Sequence, residues 1–233
     1  RMKDIKINEI FCSVSGEVGL FPQGSFTTFI RFTGCNLRCS YCDTKYSYYE
    51  GKYWTGEEII KRIKELGVNQ VLITGGEPLL QIDALKELLF ALNNLDYRIQ
   101  IETNGSFSLF EVAGRKGIVP NCFVVDYKLE GSNEEEKMVF LSSLDKFSGY
   151  IYIKFVCSNK EDMIRAFEVR EQIKKEQKYQ VEINGFPKIV YSLSPVSSFL
   201  SFKDIYDFIS ENERKCYNDI LINTQIHKFM KLS

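Results

Sequence analysis

Three cysteines lie within a span of eight residues, at Cys35, Cys39 and Cys42, in a Cys-x3-Cys-x2-Cys pattern. Structural zinc sites usually close with four ligands, and two-cluster ferredoxins use a different spacing. Three thiolates without a fourth suit a [4Fe–4S] cluster in which one iron stays free to bind a small chelating ligand. Two alternatives stay open on spacing alone: a zinc site completed by His227 or a distant cysteine, and a loop whose cysteines bind no metal.

The segments around these cysteines alternate between short apolar runs and longer runs with helical periodicity. Strands are predicted at residues 5–11, 26–32, 71–74, 98–102, 123–126, 150–156, 189–193 and 220–222. Helices are predicted to begin at Thr55, where Glu58 completes a capping box, and at Ser132. Further helices are predicted near residues 85–92, 160–175 and 202–210, with a loop or short helix at 109–117. About six strand–helix units and a closing strand predict a parallel α/β sheet, either an open partial (β/α)6-type barrel or a doubly wound sheet.

In such a sheet the ligand site lies at the carboxyl ends of the strands. The candidate strand ends here are residues 74–78, 102–105, 126–128 and 192–196, and the cysteine loop follows the second strand. We therefore expect the cysteines and the strand ends to form one site, within a single domain that spans residues 1–233.

The composition excludes several classes of function. The chain has 233 residues with 30 Lys+Arg against 31 Asp+Glu, so its net charge of −1 gives no reason to expect nucleic acid as a partner. No run of 18 apolar residues predicts a membrane span, and the N-terminus lacks a signal-peptide pattern. Seven cysteines, an odd number in a chain of this size, favour a reducing compartment such as the cytoplasm.

Two motifs together resemble the radical S-adenosylmethionine (SAM) superfamily. The first is Cys-x3-Cys-x-aromatic-Cys, in which the aromatic residue is Tyr41, and the second is a strand followed by Gly75-Gly76-Glu77-Pro78. The resemblance implies that a [4Fe–4S] cluster on the three cysteines binds SAM and cleaves it to a 5′-deoxyadenosyl radical. The two glycines would let the main chain at the strand end approach the methionine amino group closely.

Nearly the whole chain resembles, more closely, the 7-carboxy-7-deazaguanine synthase family. The matching stretches are residues 9–17, 29–44, 74–81, 102–105, 126–128 and 225–228. The resemblance implies that 6-carboxy-5,6,7,8-tetrahydropterin rearranges to 7-carboxy-7-deazaguanine with loss of ammonia, a step of queuosine-type 7-deazapurine biosynthesis. It also implies Mg2+, a homodimer, and an electron donor such as flavodoxin or ferredoxin.

The family pattern also implies a role for each matching residue. Cys35, Cys39 and Cys42 would hold the cluster, and Thr44 would bind Mg2+. The residues implied for SAM are Tyr41, Asp43, Gly76, Glu77, Glu102, Asn104, Asp126, Tyr127, Lys128, Ser194, Pro195 and Val196. Those implied for the pterin are Val14, Ser15, Gly16, Arg31 and Thr74, together with the terminal Ser233.

Several of these residues have a simpler explanation. Arg31 could recognise the substrate carboxylate through its planar fork, or it could pair with Glu102 or Asp126. Asp126 and Lys128 could form an ordinary ion pair, and Thr44 could cap its loop. Glu17 could contact the ligand or stabilise its own loop.

The chain also departs from the usual Gln-Gly-Glu-Gly pattern of the family, because it has Ser15-Gly16-Glu17-Val18. Ser15, backbone or water would have to replace the hydrogen bond of the glutamine. Since valine rarely adopts φ > 0, we expect a different loop shape at Val18.

Two rival functions follow from the same motifs. An activase for a glycyl-radical enzyme would share the cluster motif but needs an open face for a protein partner. A non-catalytic iron–sulfur or zinc module would need neither the Gly-Gly-Glu nor the Glu-Thr-Asn-Gly strand end.

Overall fold

A computed structural model describes residues 2–113, 119–139, 144, 147–176, 182–183, 185–212 and 219–232. Eleven strands occur within these ranges: β1 Ile5–Val14, β2 Phe26–Phe32, β3 Lys52–Trp54, β4 Gln70–Gly75, β5 Arg98–Thr103, β6 Cys122–Tyr127, β7 Tyr150–Cys157, β8 Glu182–Ile183, β9 Phe186–Pro187, β10 Ile189–Pro195 and β11 Ile220–Ile222. The α-helices of the same ranges are α1 Gly56–Leu66, α2 Ile82–Asn94, α3 Phe110–Ala113, α4 Lys160–Glu176, α5 Phe202–Asn212 and α6 Ile226–Phe229.

Nine of the strands form one sheet, in the order β11-β10-β7-β6-β5-β4-β2-β1-β3. The seven strands from β2 to β11 in this order are parallel, whereas β1 and β3 pair antiparallel at one edge. Strands β2, β4, β5, β6, β7 and β10 are each followed by helical structure, and β11 closes the series. This arrangement confirms the expected parallel α/β sheet and agrees with a partial barrel.

The first long helix begins where its capping box predicts. The Thr55 hydroxyl accepts a hydrogen bond from the Glu58 amide (3.3 Å), and the Glu58 carboxylate accepts one from the Thr55 amide (2.7 Å). Ile59 and Ile63 are buried against the sheet. The helix ends at Gly67, which has the left-handed conformation (φ 69°) that glycine adopts without steric cost.

The helix predicted from Ser132 is wrong. Two short 3-10 turns, Glu130–Ser132 and Glu135–Lys137, occur there instead, separated by Asn133 with φ 62°. The acidic side chains that would favour a helix N-terminus make tertiary contacts: Glu134 accepts a hydrogen bond from the Arg38 amide, and Glu135 pairs with Arg165. At residues 109–117 only the short α3 falls in the described part of the chain.

The parallel strands have two different faces. On the helix face, defined here by strand residues such as Ile73, Ile101, Val125, Ile153 and Leu193, the side chains pack into one hydrophobic core with the buried sides of α1, α2, α4 and α5. The cavity face is formed by the alternating strand residues and carries no helix layer within the described ranges. Because side chains alternate along a strand, the same segments build the core and the site. None of the helices described here combines the length and the apolar character needed to cross a bilayer.

Candidate functional site

A cavity of about 850 Å³ covers the cavity face and reaches the carboxyl ends of the strands. Most of the residues that the sequence analysis selected line it. They are Val14, Ser15, Gly16, Arg31, Cys35, Cys39, Tyr41, Cys42, Asp43, Thr44, Thr74, Gly76, Glu102, Asn104, Asp126, Lys128, Ser194, Pro195 and Val196. Glu77 and Tyr127 do not line the cavity, and Ser233 lies outside the described residues.

The cluster loop, residues 33–51 between β2 and β3, carries the three cysteines on one side of the cavity. All three are free thiols. Burial raises the pKa of Cys39 to about 11, against an opposing attraction from Lys128, and burial also raises the pKa of Cys35. Both thiols are therefore protonated at neutral pH in the protein without a cluster, and metal binding must displace their protons.

The donor set fits a cluster better than a single ion. Within the described residues no group of three or more histidine, cysteine, aspartate or glutamate side chains is arranged to hold one metal ion. In a cubane each cysteine binds a different iron, so the sulphur atoms stand farther apart than the ligands of one ion. Three free thiols line one cavity, and the cavity beyond them leaves space for a chelating ligand.

The Gly75-Gly76 pair lets the end of β4 approach the end of β2 and the cluster loop. A Cβ on Gly76 would lie 1.9 Å from the Gly34 carbonyl oxygen, and one on Gly75 would lie 2.2 Å from that of Phe32. Gly75 also has φ 136°, a conformation that other residues rarely adopt. The two glycines are therefore needed, in the first place, for close contact between main-chain segments of the protein itself.

Glu77 fixes the ends of two strands to each other. Its buried carboxylate accepts hydrogen bonds from the amides of Asn104 (2.7 Å) and Leu79 (2.9 Å) and from the Thr103 hydroxyl (2.8 Å). Burial raises the pKa of Glu77 to about 7, and these hydrogen bonds oppose the rise. The carboxylate holds Asn104 in the cavity wall, so Glu77 acts on the site from behind it.

Tyr127 lies on the helix face. Its ring packs edge-to-face on Phe155 in the hydrophobic core, at 5.7 Å between ring centroids. The strand alternation that directs Asp126 into the cavity directs Tyr127 away from it. The side chain of Tyr127 therefore does not line the cavity, although those of Asp126 and Lys128 on either side of it do.

Charged and polar side chains form a row across the cavity face. Thr74 donates a hydrogen bond to Glu102 (2.8 Å), Lys128 pairs with Asp126 (2.9 Å), and Lys154 lies 3.6 Å from the same carboxylate oxygen of Asp126. The other oxygen of Asp126 is buried and has no hydrogen-bond partner among the described residues. It is free to accept a donor from a bound ligand.

Arg31 pairs with Glu9, through Nε at 2.7 Å, so the two partners considered for it, Glu102 and Asp126, are not its ion-pair partners. This contact uses Nε and leaves the two terminal nitrogens without a hydrogen bond to any other described residue. Since Arg31 lines the cavity, its fork is available to a ligand carboxylate.

The structure also bears on the simpler explanations considered for Asp126, Lys128 and Thr44. Asp126 and Lys128 do form the ion pair considered for them, but both also line the cavity. Thr44 precedes a 3-10 turn without a capping hydrogen bond from its side chain, and its hydroxyl lies 3.8 Å from the Cys42 sulphur. Thr44 also lines the cavity.

The loop after β1 accommodates the departures from the family pattern. The Ser15 hydroxyl donates to the Phe21 carbonyl oxygen at 3.4 Å. Val18 does not have a positive φ, and its amide donates to Asn223 Oδ1 at 2.8 Å. Glu17 accepts hydrogen bonds from Lys154, Asn223 and Gln225 that stabilise its loop, and it also lines the cavity.

Polar residues of the cavity wall that were not predicted from the sequence include Gln100, Lys154 and Asn223. A signal existed for Lys154, because it is the single charged residue in the otherwise apolar and aromatic strand at residues 150–156. Its position in the alternation places it on the face opposite Ile151, Ile153 and Phe155. Asn223 follows the last strand, and no sequence pattern distinguishes it.

Comparison with known proteins agrees with this geometry. Residues 29–152 match the model of the radical SAM superfamily, which covers the cluster loop and strands β4 to β6. The chain is therefore a radical SAM protein.

Two curated relatives identify the particular family. The chain is 39% identical to the 7-carboxy-7-deazaguanine synthase of Clostridium acetobutylicum, over 97% of this chain and 95% of the relative. It is 31% identical to the protein of the same name from Koribacter versatilis, over 97% and 96%. In fold it is similar to the crystal structure of QueE from Escherichia coli, with a TM-score of 0.66 and 24% identity over 95% and 94% of the two chains. The chain belongs to the 7-carboxy-7-deazaguanine synthase family.

Proposed function

We propose that this protein is a radical SAM enzyme that converts 6-carboxy-5,6,7,8-tetrahydropterin to 7-carboxy-7-deazaguanine with loss of ammonia. The observation that carries the proposal is that one cavity joins the three-cysteine loop to the polar row of the sheet. Membership of the 7-carboxy-7-deazaguanine synthase family, at 39% identity over nearly the full length, supports it.

Cys35, Cys39 and Cys42 would hold the [4Fe–4S] cluster. When bound, the cluster and SAM would supply the radical chemistry of the reaction. Residues on three sides of the cavity would bind and orient SAM, and the unpartnered oxygen of Asp126 is suited to accept one of its donors. The residues proposed for SAM are Tyr41, Asp43, Gly76, Glu102, Asn104, Asp126, Lys128, Ser194, Pro195 and Val196, with Glu77 fixing Asn104 from behind.

Arg31 would bind the carboxylate of the pterin. Its Nε is already oriented by Glu9, so its two terminal nitrogens can present parallel donors to a planar carboxylate. Val14, Ser15, Gly16 and Thr74 line the same region. The protein thereby contributes position and exclusion of water, while the radical chemistry belongs to the cofactor.

Further features are proposed from the family alone. Thr44 would bind Mg2+, which accepts a single protein hydroxyl when water and substrate oxygens complete its coordination. A homodimer, a flavodoxin or ferredoxin as electron donor and a cytoplasmic location complete the proposal. The single domain, residues 1–233, is supported by the continuous sheet from β3 to β11.

The test is an assay of the anaerobically reconstituted protein with dithionite, SAM, Mg2+ and the pterin, and without any partner protein. We expect 5′-deoxyadenosine and 7-carboxy-7-deazaguanine to form together. If 5′-deoxyadenosine forms but the pterin is unchanged, the proposed reaction is wrong, and a radical transferred to an added glycyl-radical partner would favour the activase. If metal analysis finds one zinc and no SAM cleavage, the non-catalytic module is correct.

A further inference from the structure

The loop after β1, residues 15–25, crosses from one edge of the sheet to the other. Strand β1 lies beside β2, at one end of the parallel array, and β11 forms the other end. Yet Gln23 Nε2 donates to the Thr224 carbonyl oxygen (3.0 Å), and the Ile226 amide donates to the Gly16 carbonyl oxygen (2.9 Å). Hydrogen bonds outside the sheet therefore join the C-terminal segment, defined here as residues 223–230, to the loop after β1.

A buried carboxylate lies at the centre of this junction. Glu17 Oε2 accepts hydrogen bonds from Lys154 Nζ (2.7 Å) and Asn223 Nδ2 (3.2 Å), and Glu17 Oε1 accepts one from Gln225. Burial alone would raise the pKa of Glu17, but the attraction to Lys154 and the hydrogen bonds outweigh it and lower the pKa to about 2. Glu17 is therefore ionised and joins three separate parts of the chain.

The cation of the junction comes from the middle of the sheet. Lys154 is on β7, only 12% of its side chain is exposed, and the carboxylates of Glu17, Asp126 and Glu102 surround it. Burial lowers the pKa of Lys154, yet these three carboxylates raise it well above its ordinary value. The ammonium group is a permanent charge in the wall of the cavity.

The C-terminal segment closes the cavity on two sides. His227 packs against Gly16 so closely that a Cβ there would lie 2.0 Å from Nδ1 of the imidazole. Lys228 reaches the cluster loop and pairs with Asp43 at 3.1 Å. Both His227 and Lys228 line the cavity.

We propose that Lys154 is a positioning residue, which acts through Glu17 to hold the C-terminal segment against the pterin end of the cavity. This inference rests on the proposed function for the identity of the substrate. Removing one member of a buried ion pair leaves a lone charge that must find water, whereas removing both charges is far less disruptive. The consequence is a characteristic relation between single and double variants.

The first experiment follows amide hydrogen exchange in the cluster-loaded enzyme without pterin. In Lys154→Met, exchange at the Ile226 and Lys228 amides should accelerate about tenfold or more, because local opening becomes easier. The matched control is Lys174→Met. Lys174 lies on helix α4, outside the cavity, and its ammonium group forms an ion pair with Asp219 at 2.7 Å. The control should leave exchange in the C-terminal segment unchanged.

The second experiment measures kinetics. In Lys154→Met the KM for pterin should rise about tenfold, by more than kcat falls. Lys154→Arg, which keeps the charge, should restore most of the pterin affinity. Combining Lys154→Met with Glu17→Gln should harm exchange and KM less than the sum of the single changes, because the charge of Glu17 is removed together with that of Lys154.

Unchanged exchange in Lys154→Met would overturn the proposal, as would additive losses in KM, which would show that both residues touch the substrate separately. If Lys154→Met does not fold, Lys154→Arg and the double variant decide, since neither leaves Glu17 ionised without a cationic partner. Because the exchange measurement needs no pterin, it can succeed even where the proposed reaction fails.

Discussion

On strand β7, Ile151, Ile153 and Phe155 pack into the core on the helix face, whereas the alternating residues Lys154 and Val156 line the cavity. Strand β6 repeats this difference, with Val125 and Tyr127 on the helix face and Asp126 in the cavity. The helix face is uniformly apolar, so its contribution to the free energy of folding is set by the apolar area that it removes from water. The cavity face holds its charges in pairs, so its contribution depends on protonation and on what binds there.

The largest loss of activity is expected when a cluster ligand on the cavity side is removed. Cys39→Ala should abolish both the brown colour and the activity after anaerobic reconstitution, because two thiolates cannot hold the cubane with one iron open. Iron content, the visible spectrum and product formation measure this. Cys12→Ala, at an exposed thiol outside the cavity, is the control and should retain all three. Colour and activity in Cys39→Ala would remove the cysteine from the site.

Acid should distinguish the two faces next. The pKa of Glu17 is lowered from 4.5 to about 2, so its stabilisation is present above pH 4.5 and is lost as the pH falls toward 2. The shift corresponds to about 3 kcal/mol of unfolding free energy. Urea unfolding of the cluster-free protein at several pH values should show this loss relative to Glu17→Gln. Equal pH dependence in both proteins would contradict the ionised, paired state.

Two neighbouring residues on β6 sharpen the comparison. Asp126→Asn should lower kcat/KM for SAM by about a hundredfold, since the site loses the negative charge proposed to attract a donor of SAM. Tyr127→Ala should cost about 3 kcal/mol of stability, because it leaves a cavity in the core, while the KM for SAM stays the same. Denaturant unfolding and kinetics on both variants test this. A reversed pattern would mean that the faces are wrongly assigned.

Arg31→Lys tests how the pterin is recognised. A lysine keeps the charge but loses the planar fork, so the KM for pterin should rise about tenfold while that for SAM is unchanged. Steady-state kinetics with each substrate varied in turn give both values. An unchanged KM for pterin would leave Arg31 with its pairing to Glu9 alone.

The smallest effect is expected at Thr44. Thr44→Val keeps the shape of the side chain and removes the hydroxyl, so half-maximal activity should require about threefold more Mg2+. A magnesium titration of the activity measures this, with Thr33→Val as a control because the Thr33 hydroxyl bonds the Glu50 carbonyl oxygen (2.6 Å). An identical titration in Thr44→Val and the unchanged enzyme would remove Thr44 from the metal site.

The pattern of the fold was accessible from the sequence because period-two apolar runs and a capping box are local signals. All eight predicted strands exist, and α1 begins at its predicted cap. The helix at Ser132 failed because Glu134 and Glu135 bind distant residues, Arg38 and Arg165, and local propensity carries no information about such partners. The side chain of Tyr127 lies on the helix face because side chains alternate along a strand, which a motif of consecutive residues does not show.

The cysteine spacing, the two glycines at the end of β4 and the order of strands and helices are properties of the sequence. These three features are sufficient to predict the cluster loop and to indicate the family. Which charges pair across the sheet was decided only by the tertiary structure. Glu17, Lys154 and Asn223 are separated by more than 60 residues from one to the next, and they meet because the loop after β1 crosses the sheet to the far edge strand. Ion pairing depends on distance in space, which the sequence positions of these residues do not contain.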